Sequence, residues 1–330
     1  MKKETINILS IDGGGIRGLL PAEILIYVEN KLKKLYNKDI KLADHFDYIA
    51  GTSTGGMLSC IYTYPNEKGK PKYSAQDASD LYFNHGSKIF KKGFRFYLTL
   101  DGLLSYRYSA KPIEKLFEKY FGNTKISESV KPLMLTSVDT NGRDIYLFKS
   151  YKAEKYPKHN RMFREASRAT GAASTYYKPF RMEIDGKELA LVDGGFGVNN
   201  PTMSAYIEAL KIFPDAKKIN ILTLGTGPKE ESYSYDKSSK WGVINGAAKL
   251  FDLILTSMSD STQYQINKLY EDGKIKGELL RVQPNTYGAK DRMDNASKKN
   301  LILLRKAGQK SVEDYKERID IFLEKTVNKH

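Results

Sequence analysis

Ile6-Asn7-Ile8-Leu9-Ser10-Ile11 runs straight into Asp12-Gly13-Gly14-Gly15-Ile16-Arg17-Gly18. The first six residues alternate apolar and polar at first and then stop at the glycines, the pattern of a strand that ends in a tight loop. From Ala22 to Tyr36 the apolar residues Ile24, Leu25, Val28, Leu32 and Leu35 return at spacings of three and four, opposite Glu23, Asn30, Lys31 and Lys34. That spacing predicts an amphipathic helix lying on a sheet. The order then repeats, with a strand over Phe46 to Ala50, the turn Gly51-Thr52-Ser53-Thr54-Gly55-Gly56, and a mostly apolar stretch through Met57, Leu58, Cys60 and Ile61. Further strands are expected at Leu133 to Val138, Ile145 to Phe148, Leu189 to Val192, Ile219 to Leu224 and Leu279 to Val282. Helices alternate with them, notably Met203 to Ile212, so the fold class is α/β with a mainly parallel central sheet.

Around this frame, Pro65 to Lys72 and Pro228 to Lys240 read as exposed loops, and the last forty residues carry two helical patterns, Ser297 to Lys306 and Val312 to Lys325. No repeat is present. The 330 residues suffice for a substantial core. A 40% hydrophobic, 28% charged and 12% aromatic composition is that of a globular protein and excludes disorder. One cysteine, Cys60, and an apolar run too short for a signal-peptide core point to a reducing, cytoplasmic setting. The longest uncharged stretch, Tyr48 to Asn66, is interrupted by glycines and hydroxyl residues, so no transmembrane helix is expected. Lys plus Arg at 54 against Asp plus Glu at 39 gives a net charge of +15, which favours an anionic partner, lipid head groups or nucleic acid.

Gly51-Thr52-Ser53-Thr54-Gly55 fits G-x-S-x-G, where a serine on a sharp strand-to-helix turn is exposed to substrate. A serine nucleophile needs a base. Of the four histidines, His45, His85 and His159 precede every candidate later acid, and His330 ends a Lys-rich tail, so the ordinary Ser, acid, His order does not fit. His45, at the entry to the second strand, reads as a surface or capping residue, and His85 and His159 sit in polar contexts without the spacing of a zinc site. The alternative base is a carboxylate: Leu191-Val192-Asp193-Gly194-Gly195 places Asp193 at the end of an apolar strand. Gly13 to Gly18 supplies N–H groups free of side chains at a helix entrance, suited to an oxyanion, with Arg17 adding a cation. The same segment fits the dinucleotide fingerprint G-x-G-x-x-G, but the acidic residue expected about twenty positions on is replaced by Lys31-Leu32-Lys33-Lys34.

Taken together and in this order, Asp12-Gly13-Gly14-Gly15-Ile16-Arg17-Gly18, Gly51-Thr52-Ser53-Thr54-Gly55-Gly56 and Asp193-Gly194-Gly195 resemble the patatin-like phospholipases. Supporting segments similar to the family are Ala169 to Tyr177, Asn199-Asn200-Pro201 and Leu224-Gly225-Thr226-Gly227, and Met293-Asp294-Asn295-Ala296-Ser297 resembles plant patatins. Two positions depart from the family pattern: Ser174 stands where proline is frequent, and Gly195 where alanine is common. The resemblance implies a three-layer α/β/α fold and a single patatin-like domain over 1–330, with a catalytic core of about 6–205 and C-terminal elements of about 215–330 packed on it. It also implies a serine–aspartate dyad, Ser53 as nucleophile and Asp193 as base, an oxyanion and substrate loop of Gly13, Gly14, Gly15, Arg17 and Gly18, and an elbow shaped by Gly51 and Gly55.

The expected activity is therefore that of a lipid acyl hydrolase of the phospholipase A or lysophospholipase type, a serine esterase acting through an acyl-enzyme and using neither metal nor organic cofactor. Membrane lipid esters are the expected partners, whether phospholipid, lysophospholipid or galactolipid, reached by peripheral contact with an anionic membrane. The mixed basic and aromatic segment Ile89 to Leu98 is the expected contact. Competing readings are a non-catalytic storage or scaffold protein of the same fold, and a lipase held inactive until a nucleotide signal or partner activates it. Nucleic acid is not expected, because acids interrupt the basic residues throughout.

Overall fold

The computed structural model describes residues 2–90, 106–227, 233–241 and 243–327. Of the expected membrane contact, residues 91–98 lie outside the described residues, as do 228–232 of the second expected loop and His330. An eight-stranded sheet is built from β1 (Thr5–Ile11), β2 (Tyr48–Thr52), β3 (Leu133–Asp139), β4 (Asp144–Lys149), β5 (Phe180–Ile184), β6 (Lys187–Asp193), β7 (Lys218–Leu224) and β8 (Leu279–Val282). The principal helices are α1 (Leu19–Tyr36), α2 (Thr54–Thr63), α3 (Ala75–Ile89), α4 (Lys111–Phe121), α5 (Phe163–Thr170), α6 (Thr202–Ile212), α7 (Val243–Glu271) and α8 (Lys298–Thr326).

Strands β3, β2, β1, β7 and β8 pair in parallel in that order, while β4 and β6 run antiparallel to β3, and β5 antiparallel to β6. The expected α/β class with a mainly parallel sheet is the observed one. Because helices cover both faces of the sheet, β1 is buried on both and lacks a solvent side. Ile6 and Ile8 enter one core with Ala205 and Ala209 of α6 and Ile266 of α7, whereas Leu9 and Ile11 enter the other, larger one with α1, α3, α4 and α8. The buried Asn7 of β1 is matched by Asn220 of β7, whose Nδ2 donates to Asn7 Oδ1 at 2.8 Å.

Register explains how distant parts of the chain meet. Thr136 of β3 pairs with Leu147 of β4 and Thr52 of β2, and Ser137 with Tyr146 of β4 and Asp193 of β6. Strand β4 therefore occupies one edge of β3, and β2 and β6 share the other. Running in opposite directions, they meet head-on at neighbouring rungs, and the residues that end them, Thr52 and Asp193, arrive side by side.

The C-terminal pattern is corrected. A single helix, α8, spans both expected segments, and it is capped at its start by Ser297, whose side chain accepts from Asn300 N–H. The apolar period lapses at Ala307-Gly308 because small residues are needed where α8 crosses α1. A Cβ at Gly308 would lie 2.7 Å from Glu23 Cβ and 3.1 Å from Leu20 O.

Candidate active site

Ser53 caps the N-terminus of α2 with φ 53° and ψ −119°, a left-handed backbone that non-glycine residues avoid. The flanking glycines make it possible: a Cβ on Gly51 would collide with the backbone of Gly55, and one on Gly55 with the carbonyl of Ile11 at the end of β1. The turn is held further by Ser53 N–H, which donates to Thr170 Oγ1 at 2.9 Å from the end of α5. In this pose Ser53 Oγ donates to Asp193 Oδ2 at 2.5 Å.

Asp193 ends β6 and is buried. Its other oxygen, Oδ1, accepts from Gly195 N–H at 2.8 Å. Burial pushes its carboxyl up to about 6, against the opposing hydrogen bonds from Ser53 and Gly195, so the group is far more basic than an ordinary aspartate. No histidine among the described residues touches this pair. His45 is not at the surface, as expected, but buried beside Asn7 and Tyr36, where burial holds it down at about 3 and neutral. Asn7 and Asp12 are five residues apart along β1, so His45 sits about 17 Å away, at the opposite end of the sheet.

The Gly13 to Gly18 segment divides its labour. Gly13 N–H is taken by Asn199 O (3.2 Å) and Gly13 O by Thr226 Oγ1 (2.7 Å), so Gly13 anchors the loop. The N–H groups of Gly14 and Gly15 donate to no acceptor among the described residues, and both residues line the same cavity as Ser53 and Asp193. Gly15 has φ +61° and lies against Met293, whose carbonyl accepts Ile16 N–H at 2.9 Å. Arg17 does not line the cavity: it is buried, and its Nη1 donates to Gly227 O at 3.2 Å. Gly18 packs on Thr54. Two of the five expected loop residues thus face the cavity, and the others brace it.

From Ser53 the cavity follows α2 past Met57 to Ile61, eight residues on, or about 12 Å of helix rise. Leu81 of α3 and Phe117 and Phe121 of α4 close its sides, so the polar atoms of Ser53 and Asp193 sit at one end of an apolar slot.

This arrangement coincides with a recognised sequence pattern: the one described as patatin-like phospholipase matches residues 9–206. The chain belongs to that family. Patatin-like protein 1 of Arabidopsis thaliana is 32% identical to this patatin-like chain, over 92% of it and 81% of the relative. Patatin-like protein 1 of Oryza sativa subsp. indica is 30% identical, over 96% and 84%. A Solanum tuberosum relative named probable inactive patatin-3-Kuras 1 is 30% identical, over 93% and 86%. Among solved structures, human GIVD cytosolic phospholipase A2 with methyl gamma-linolenyl fluorophosphonate and terbium chloride aligns with a TM-score of 0.49 at 11% identity. That alignment covers 98% of this chain and 59% of the human one.

Several residues that hold the patatin-like site lie outside its three motifs. Arg281 of β8 grips both oxygens of Asp12, the residue that opens the first motif, with Nη1 to Oδ1 at 2.9 Å and Nη2 to Oδ2 at 2.5 Å. Burial raises the Asp12 carboxyl while Arg281 draws it back down. Leu255 of α7 lines the cavity beside Gly195, and Ser259 one turn on accepts from Asn199 Nδ2 at 2.9 Å. The neighbourhoods of Asn199, Thr226 and Met293 were legible as family-like segments, but Arg281, Leu255 and Ser259 carry no local signal. Among the described residues no three His, Cys, Asp or Glu side chains cluster as metal ligands, and no helix is long and apolar enough to cross a membrane.

Proposed function

We propose that this chain is a serine hydrolase of lipid acyl esters, of the phospholipase A or lysophospholipase type. The observation that carries the reading is the 2.5 Å contact from Ser53 Oγ to Asp193 Oδ2 at the head of an apolar slot. Ser53 Oγ attacks the ester carbonyl while its proton passes to Asp193 Oδ2. The carbonyl oxygen, now an oxyanion, is met by the N–H groups of Gly14 and Gly15. Collapse breaks the carbon–oxygen bond to the leaving alcohol, which takes the proton from Asp193, and the acyl group stays on Ser53. Water then attacks the acyl-enzyme, giving its proton to the same carboxylate, and collapse returns that proton to Ser53 as the fatty acid leaves.

A base near 6 supports this use of an aspartate at neutral pH, where it is mostly ionised yet able to accept a proton. The slot supports an acyl chain as the substrate's apolar part, since an extended chain advances about 1.2 Å per bond and about 12 Å holds roughly ten bonds. One relative is named probable inactive, but the Ser53–Asp193 contact favours a working enzyme here. The membrane lipid is met from the cytoplasm by peripheral contact.

The test is fatty-acid release from phosphatidylcholine and phosphatidylglycerol vesicles by wild type, Ser53→Ala and Asp193→Asn. Release by wild type alone is expected. Release persisting in Ser53→Ala removes the dyad, and a wild type inert towards phospholipid, lysophospholipid and galactolipid alike removes the hydrolase.

A further inference from the structure

The outward face of α7 breaks the ordinary surface pattern. Leu250, Leu253 and Ile254 stand 47%, 48% and 48% exposed at spacings of three and four, forming one apolar ridge. Among the described residues, other helices carry exposed large aliphatic residues apart from one another, as with Ile207 of α6 or Ile302 and Ile321 of α8, nineteen positions apart. In the segment that precedes the ridge in sequence, Tyr235 is 84% exposed and Tyr233 packs edge-on to Trp241 at 4.8 Å, and Lys249 Nζ, from the residue before Leu250, stands 5.8 Å from the Trp241 ring. Tyrosine, tryptophan and lysine flanking aliphatic side chains match the layered polarity of a membrane–water boundary.

The opposite face of the same helix turn belongs to the reaction centre. Leu255, next in sequence to Ile254, lines the cavity, and Ser259 reaches Gly13 through Asn199. We propose that the outward face of α7 at Leu250, Leu253 and Ile254 is the surface by which the chain lies on a lipid bilayer, these three side chains entering the boundary between head groups and acyl chains. The proposal rests on the lipid hydrolase reading and names the surface that serves it. Continuity selects the occupant, because a lipid leaving the bilayer at this ridge is one helix thickness from the slot. A second copy of the chain fits less well: three half-exposed side chains offer a few hundred Å², against roughly 800 Å² per partner in a stable complex. The net charge of +15 draws the molecule to an anionic leaflet before the ridge inserts.

The test uses the full chain with Ser53→Ala, so that binding is read without turnover, sedimented with phosphatidylcholine and phosphatidylglycerol vesicles. Leu250→Gln, Leu253→Gln and Ile254→Gln together are expected to weaken binding at least tenfold with the thermal transition unchanged. In the active chain the same substitutions lower hydrolysis of vesicle lipid in proportion and leave turnover of a water-soluble short-chain ester intact. Unchanged vesicle binding overturns the proposal. So does an equal fall on the soluble ester, which makes α7 a wall of the site only, and so does a dimer that the substitutions dissociate. If the triple variant loses its folding transition, Leu253→Cys carrying a polarity-sensitive dye takes its place, the native thiol of Cys60 being buried; emission that vesicles do not shift overturns the docking. A wild type that hydrolyses nothing while the Ser53→Ala chain still binds through the ridge removes the hydrolase and leaves the surface.

Discussion

The two strand–turn–helix units, β1 into α1 and β2 into α2, end at the same edge of the sheet on paired neighbouring strands, with Ile11 opposite Gly51. Both turns need a left-handed residue. In the first it is Gly15 at φ 61°, and in the second Ser53 at φ 53°. Glycine adopts that backbone at little cost and leaves bare N–H groups facing the cavity, so the first turn offers donors and nothing else. Serine adopts it under strain and presents a hydroxyl, so the second turn offers the proposed nucleophile. One backbone solution thus yields bare N–H donors or a presented hydroxyl according to which residue bears the positive φ.

The largest effect tests the hydroxyl. Ser53→Ala should lower kcat by about 10⁴-fold or more, and adding Asp193→Asn should cost little further, because residues that act as a unit are not additive. Single-turnover acylation measures both, and a double variant markedly worse than either single one separates the two roles. Next comes the donor turn. A Cβ on Gly14 would collide with Thr226, so Gly14→Ala should cut kcat about a hundredfold while KM changes little. Turnover equal to wild type would remove these N–H groups from the reaction.

Asp193 separates the turns by pH. The base must be ionised, so kcat/KM should fall about tenfold per unit below about 6 and level off above it. Stability has the opposite sign. The folded state holds this proton more tightly than the unfolded chain, whose carboxyl lies near 3.8, so wild type loses stability relative to Asp193→Asn as pH rises from there through about 6. The loss is at most about 3 kcal/mol, read from urea midpoints across that window. The smallest effect isolates the strain. Ser53→Gly should be more stable than Ser53→Ala by about 1 kcal/mol, the reverse of the order at a helix interior. Equal urea midpoints would mean the serine turn is relaxed.

What the sequence disclosed was local. Strands β1, β2, β3 and β7, both glycine turns and Asp193 lie in short runs whose alternation or glycine content is complete within about ten residues. What it withheld depended on partners far along the chain. Strand β5 is short and only Met182 in it is fully buried, Phe180 and Ile184 packing on the core edge between the outward Arg181 and Glu183, so its five-residue alternation is weak beside the Asp185-Gly186 hairpin turn, both residues at positive φ. Helix α7 hid because its outward leucines spoil the polar face that an amphipathic period requires, and α8 looked divided because its contact with α1 is made by Ala307 and Gly308. His45 read as a surface or capping residue because nothing near it in sequence reveals that Asn7 and Thr326 enclose it. In the candidate site, Ser53, Asp193 and the glycines beside them were legible, whereas Arg281 was not, since nothing local to β8 says that its charge is owed to Asp12.

The head-on meeting of β2 and β6 along one edge of β3 makes that strand a ruler. The gap between Ser53 and Asp193 is fixed by two adjacent rungs, Thr136 and Ser137, and not by the 140 residues of chain that separate them. Sliding β6 by one side-chain repeat would move Asp193 by nearly 7 Å and end its contact with Ser53. Lengthening the connections between them costs only a slowly growing closure entropy and moves neither group. Insertions and deletions can therefore accumulate across that interval, remodelling the walls of the slot while the distance between Ser53 and Asp193 stays the same.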